Sequence, residues 1–267
     1  MAHVVLVGPG RAGLSMALAM QRSGHTIVGI LGRYTASAGA ELLGAPVLAW
    51  DRPLPPADVV VVAVRDDSIA SVAAGLDPPE GVLVMHLSGL TSIEALAPLR
   101  SRGCRIASFH PLQSLPNPQA GSEALAGSYG AVTAEAEATF VELEELASSI
   151  GVHPFRLADD DKPMYHAAAA AASNYVIAAL SVAERLMDGA GVPWPAARPL
   201  VDTVVRNAFT MGTRAALTGP IARGDVGTVV AQREAAAAAG IEEAFVALGR
   251  ITAVLAGTDT VMEEALR

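Results

Sequence analysis

Cysteine is nearly absent: Cys104 is the only one in 267 residues. No disulfide framework can form within such a chain, which fits a reducing, cytoplasmic setting. The run "GCRIASF" around Cys104 reads as a buried strand, so its thiol is expected to be inert core. Positive charge is also scarce. Lys and Arg number 18 against 27 Asp and Glu, for a formal net charge of −9. That balance offers no broad attraction to nucleic acid or to an anionic membrane, and both are set aside as partners. A local basic pocket for a small anion stays open. The N-terminus "MAHVVLVGPG" lacks the basic start and apolar stretch of a signal peptide. The most apolar long window, 167–183, is mostly alanine and is interrupted by Ser173, Asn174 and Ser181. It reads as a buried helix of a soluble protein and not as a membrane span. At 52% hydrophobic and 17% charged residues, the chain is a folded protein and not a disordered one.

Strands are missing from one whole part of the chain. Up to Leu157, β-branched runs alternate with helical stretches. The expected strands are His3–Val7, Thr26–Leu31, Pro46–Leu48, Val59–Val64, Val82–Leu87, Arg105–Phe109, Tyr129–Thr133 and Val152–Leu157, with a helix over about Glu135–Ile150. Continuous apolar runs such as "VVVVAV" suit strands covered on both faces of a parallel sheet. Beyond Leu157 only helical patterns remain, broken at "DGAGVPWP", "LTGPIARGD" and "AGTDT". The expected organisation is a Rossmann-type, doubly wound α/β domain over residues 1–158. An all-helical domain over 159–267 would serve the substrate and dimerisation.

The clearest motif is present at once. The strand ending at Val7 runs into Gly8-Pro9-Gly10-Arg11-Ala12-Gly13 and a helix, a full G-x-G-x-x-G in the context it requires. Gly8 permits the tight turn, Gly10 lets a pyrophosphate approach the backbone, and Gly13 lets helix and strand pack closely. The helix N-terminus then binds the anion. An NAD site usually has Asp or Glu about 20 residues on. Here "IVGILGRYTAS" has none; Gly32 and Arg33 stand there, followed by Tyr34, Thr35 and Ser37. A guanidinium with hydroxyls suits a 2′-phosphate, so the expected cofactor is NADP(H).

Ligands of such sheets lie beyond the carboxyl ends of the strands. Val64 and Arg65 with Asp66 and Asp67 follow one strand, Ser88-Gly89 another, and His110-Pro111 a third. An aspartate at 66 or 67 is expected to cap a helix. Val64, Arg65, Ser88 and Gly89 are expected at the cofactor, Ser88 at the nicotinamide ribose or a substrate oxygen, and His110 at the substrate. On the helix of "DDDKPMYHAAAAAASNYV", Lys162, His166 and Ser173 fall within about 40° of one another, with Asn174 at the edge of the stripe and alanines between. A ligand can lie against such a face.

The order of "GPGRAG", "HLSG", "HPLQ", "KPMYH…SNY" and "LTGPIARGD" resembles, over nearly the whole chain, the Rossmann-like oxidoreductases that carry a C-terminal domain of unknown function 2520. That family in turn resembles the 6-phosphogluconate-dehydrogenase-like group, which includes ketopantoate reductase, β-hydroxyacid dehydrogenases, pyrroline-5-carboxylate reductase and deazaflavin-dependent NADP reductases. In the hydroxyacid members a catalytic Lys is followed four residues later by Asn. Lys162 matches the Lys, His166 replaces the Asn, and Asn174 does not fall at the family spacing. The resemblance implies an NADPH-dependent reductase of a small keto acid, with ketopantoate the most concrete substrate. Lys162 would then protonate or electrostatically stabilise the developing alkoxide. His166 and Asn174 would orient the substrate, assisted by Ser173. Arg223 would clamp its carboxylate and Asp225 would orient that pair. Rival readings are a prephenate-dehydrogenase-like, imine-reducing or deazaflavin-linked enzyme, and a non-catalytic NADP-binding redox sensor. The alanine-rich helical face suggests a homodimer, and no metal ligands are assigned.

Overall fold

The structure, a computed structural model, describes residues 1–33 and 35–267; Tyr34, expected near the ribose, lies outside the described residues. The chain divides into two compact units, Met1–Ala170 and Ala171–Arg267. The first contains β1 (His3–Val7), α1 (Arg11–Arg22), β2 (Thr26–Leu31), α2 (Ala36–Leu43), β3 (Val59–Val62), α3 (Ile69–Gly75), β4 (Leu83–His86), α4 (Ala97–Arg100), β5 (Arg105–Leu112), α5 (Pro118–Leu125), β6 (Tyr129–Ala134), α6 (Glu137–Ser149) and β7 (His153–Arg156). The seven strands form one sheet in the order β2-β1-β3-β4-β5-β6-β7. All neighbours run parallel except β5 and β6.

Period-two alternation sends neighbouring side chains of β1 to opposite faces. Val4 and Leu6 join a core with Leu14, Met16 and Met20 of α1 and with Phe140 and Leu143 of α6. Val5 and Val7 join a second core with Ile69 and Ala73 of α3 and Leu99 of α4. The sheet is therefore covered on both faces, as its apolar strands require. From β1 the chain goes one way to β2 and the other way to β3, so the carboxyl ends of β1 and β3 flank the switch point where ligands bind.

Three strand expectations shift by more than one residue at an end. Pro46–Leu48 shrinks to a single bridge between Val47 and Ile30, since Pro46 has no N–H to donate. The third strand stops at Val62, leaving Ala63 and Val64 to line the glycine turn. β5 runs on to Leu112 because its last residues pair with β6.

The second unit is helical throughout: most of α7 (Lys162–Gly189), then α8 (Arg198–Met211), α9 (Thr213–Ala216), α10 (Pro220–Arg223), α11 (Val226–Ala238), α12 (Glu242–Ala256) and α13 (Asp259–Met262). Its core is small, built on Val229, Val246, Ala253, Met262 and Leu266. Large apolar side chains stay open to solvent, among them Ile177, Leu200, Phe209, Ile251 and Val254. The window 167–183, expected to be buried, is exposed or half-exposed along its length; Lys162 is the one buried residue of α7. Alanine content marks a surface that can pack closely without stating what packs on it. By length and composition alone, Asp159–Gly189 is long and apolar enough to cross a membrane. The division of the chain falls at Ala170, not at residue 158, because side chains at the start of α7 are tied into the sheet unit, as described next.

Candidate active site

The glycine turn is built as its spacing predicts. Gly8 has φ +93°, and a Cβ there would lie 2.7 Å from the Ala63 carbonyl oxygen. A Cβ on Gly13 would lie 2.5 Å from the Gly8 carbonyl oxygen, so this glycine is what lets α1 approach the turn. A Cβ on Gly10 would meet nothing within 4 Å; open space lies there. Gly10 is the N-cap of α1 and makes no side-chain cap, so the first amides of the helix keep free N–H groups. A cleft of about 550 Å³ opens beside them, lined by Gly10, Arg11, Ala12, Val64, Arg65 and Ser114 among others. Two guanidiniums and a helix N-terminus around an open hollow fit a diphosphate. Pro9 does not line this cleft. Its ring packs on Gly32 and Gly39, where any Cβ would come within 2.9 Å of it. Gly32 is thus a packing glycine. Arg33 and Thr35 are exposed at the end of β2, and no acid accompanies them. Arg33 forms no ion pair among the described residues. The Trp50 indole N–H donates to the Gly32 carbonyl at 3.4 Å and forms a wall near this corner that sequence gave no reason to expect.

Around the next strand ends the polar groups divide into spent and available. Ser88 is spent. Its hydroxyl donates to Thr91 Oγ1 at 3.0 Å and accepts from the N–H groups of Leu90 and Thr91 at 3.2 and 2.9 Å. One donor and two lone pairs are then all used, so the expected ribose contact is not free. Neither Asp66 nor Asp67 caps α3; Asp67 pairs with Arg65 at 3.4 Å and accepts from Ser68. His110 is available. Its ring lies over Gly89, where a Cβ would come within 2.9 Å of it, so Gly89 exists to admit the imidazole. His110 Nδ1 and the Tyr165 hydroxyl are 2.7 Å apart. The His166 ring centroid lies 6.1 Å from that of His110, and Phe155 packs edge-on against Tyr165 at 5.9 Å. Burial, then the neighbouring His166 and Lys162, push the His110 pKa down to about 4, despite Asp66 pulling the other way. Burial pushes the Tyr165 phenol up to about 12. The pair is therefore a neutral imidazole against a protonated phenol.

Lys162 is the only lysine in the chain, and it is 1% exposed. Its ammonium pairs with Asp159 at 2.9 Å and donates to the Thr91 carbonyl at 2.7 Å. Asp159 also accepts from the Ser92 hydroxyl and, at 3.1 Å, from the Ile93 N–H. Burial lowers the Lys162 pKa, while the hydrogen bond and charge of Asp159 oppose that shift. Burial by itself would raise the Asp159 pKa, but the hydrogen bonds from Ser92, Lys162 and Ile93 bring it below the ordinary value. The expectation that this amine donates to a substrate meets a closed ion pair instead; its positive charge remains. Nearby, His86 is fully buried, its Nδ1 accepts from the Ser88 N–H at 3.2 Å, and its Nε2 has no hydrogen-bond partner among the described residues. Burial, with the Lys162 charge second, lowers its pKa to about 4.

In the second unit Asp225 is the N-cap of α11. Its carboxylate accepts from the Thr228 N–H at 3.2 Å and the Thr228 hydroxyl at 2.7 Å. It thus caps its own helix, with the Arg223 charge adding to the Thr228 hydrogen bonds in holding its carboxyl below the ordinary range. Arg223 is exposed in the last turn of α10. Ser173 and Asn174 are exposed on α7, with the Ser173 hydroxyl 3.4 Å from Asn174 Oδ1. Sequence reasoning missed the Tyr165–His110 pair, because 55 residues separate the two. It also missed Asp159 as the partner of Lys162; the solitary lysine was the available signal.

Residues 2–111 match a Rossmann-like domain and residues 128–252 a domain of unknown function, DUF2520. No curated protein sequence matches the chain. Among solved structures, one from Bacteroides fragilis, described as an NADP oxidoreductase, is 19% identical with a TM-score of 0.82, over 94% of this chain and 98% of that one. A Thermotoga maritima protein is 25% identical with a TM-score of 0.69, over 96% and 99% of the two chains. A reductive aminase from Aspergillus terreus, solved with NADPH4, cyclohexanone and allyl amine, is 16% identical with a TM-score of 0.69 over 99% of each. The likenesses below 25% identity establish the fold.

Proposed function

We propose, for a chain that belongs to the Rossmann-like family carrying a C-terminal DUF2520 domain, that it is an NADPH-dependent reductase of a small carbonyl substrate, a keto acid of the ketopantoate kind. The observation that carries the reading is the glycine turn, with its open hollow at Gly10 beside Arg11 and Arg65, and Arg33 in place of an acid at the end of β2. The first amides of α1 with Arg11 and Arg65 would hold the diphosphate, and Arg33 with Thr35 the 2′-phosphate. The bound cofactor supplies a hydride. The chain's share is to seat the substrate beside His110 and Gly89 and to manage its proton. Lys162 contributes a fixed positive charge from its buried pair, the electrostatic half of the role expected of it. His166, whose ring lies 6.1 Å from that of His110, orients the substrate. In this reading the protein is a cytoplasmic homodimer, in which a second copy covers apolar side chains such as Phe209, 89% exposed in the single chain.

Imine reduction is the second reading, favoured by the whole-chain likeness to the Aspergillus terreus enzyme. The test is NADPH oxidation against keto acids, cyclic imines and a deazaflavin, together with NADPH and NADH titrations followed by fluorescence. Turnover of a keto acid with tighter NADPH binding is the expected result. Equal affinity for both nucleotides sinks the cofactor assignment, and nucleotide binding without turnover on any substrate sinks the enzyme.

A further inference from the structure

We infer that Tyr165 is the residue that protonates the substrate oxygen and that His110 is its positioning partner; this rests on the reductase reading above. Four observations converge. Tyr165 and His110 are half-buried, so each keeps an open edge. Their polar atoms meet at 2.7 Å. Gly89 is bare so that the imidazole can lie at the carboxyl end of β4, on the side of the sheet where ligands bind. Two further polar groups close to that mouth are occupied, Ser88 in its turn and Lys162 in its pair with Asp159.

The chemistry follows from the protonation states. A neutral imidazole can turn an Nδ1–H toward the phenol oxygen, which leaves the phenol's own hydrogen free for a ligand. When hydride adds to the carbonyl carbon, the C=O π pair moves to oxygen. The Tyr165 O–H bond breaks as the product O–H bond forms. The phenolate left behind accepts the His110 Nδ1–H and regains its proton from water. A phenol that holds its proton to about pH 12 suits an alkoxide, which is the stronger base, and is too weak an acid to charge a neutral imine. His166 and Lys162, with Asp66 opposing, set the charge around His110.

The test compares a keto substrate with a permanently charged N-alkyl iminium, which needs hydride but no proton. Tyr165→Phe should lower kcat on the keto substrate about 100-fold, in the range of a lost general acid. It should leave iminium reduction and the NADPH Kd within about twofold. Equal losses on both substrates overturn the assignment. His110→Asn, which keeps a polar group near the Nδ1 position, should retain far more activity than His110→Ala; equal loss overturns the positioning role. Nitrogen NMR of the nucleotide-free protein gives a readout independent of turnover. His110 should stay neutral through pH 6, and its Nδ1 shift should change in Tyr165→Phe. A His110 that titrates near 6.5, or that ignores the Phe variant, removes the pair. If the wild type reduces nothing, the reductase reading falls by itself, and the NMR still decides the pair.

Discussion

Gly13 tolerates no side chain, since a Cβ would sit 2.5 Å from backbone oxygen that cannot move aside as a side chain would. Gly13→Ala should push α1 off the turn, costing about 1–3 kcal/mol as overpacking does and weakening NADPH binding with it. Urea denaturation and nucleotide titration measure the two losses. In the proposed site, Arg33→Ser would remove a different thing, the charge-assisted hydrogen bond to a 2′-phosphate, of about 1.5–3 kcal/mol and equivalent to roughly ten- to hundred-fold in affinity. The loss should appear for NADPH and not for NADH. Lys162 and Asp159 form a pair whose value lies in not being broken. Asp159→Asn leaves an enclosed ammonium uncompensated and should cost about 3–5 kcal/mol, far above the roughly 0–1 kcal/mol of an exposed pair such as Arg198–Asp202. In the double variant with Lys162→Met, chemical denaturation should recover much of that loss. At this scale the steric roles of Gly8 and Gly13 were legible in the sequence, because they belong to one turn and its neighbours; those of Gly32, packed on Pro9, and Gly89, packed on His110, were not. The fate of Lys162 was not, because its acceptor, the Thr91 carbonyl, is 71 residues away.

Elements carry their own tests. Asp225 caps α11, so Asp225→Ala should lower stability, read as a lower midpoint in urea denaturation. His86 closes β4 with its ring fully buried, facing Lys162, Asp159 and His110. Its folded pKa is depressed from 6.5 to about 4, so the unfolded chain takes up the proton first. Its contribution to stability is complete above 6.5 and is lost as pH falls toward 4. Melting temperature should therefore drop between pH 7 and pH 4.5, and less steeply in His86→Asn. The strands of the sheet were legible because continuous Val and Leu runs admit few other environments, as "VVVV" at β3 shows. Pro46–Leu48 misled because β-branched texture says nothing of the missing proline donor. α7 misled in the opposite way: its period was readable and its covering was not.

At the scale of the molecule, the helical unit sets a small core against many open apolar side chains. Ile177, Leu200, Ile251 and Val254 are each about two-thirds exposed in the single chain, more than a monomer ordinarily leaves to water. Sedimentation should give a dimer, and Phe209→Glu should shift it toward monomer with its helicity intact. A monomeric wild type removes the second copy from the account. The sequence indicated that a face existed; only the folded chain shows which large side chains stay uncovered.

One lysine in the whole chain, shut behind a carboxylate, also makes the protein its own gauge of breathing. An acylating reagent finds a single side-chain amine, and can reach it only while the first turn of α7 lifts from the loop after β4. The pace at which one acyl mass is gained beyond the terminal amine would count those openings, with no label engineered into the molecule.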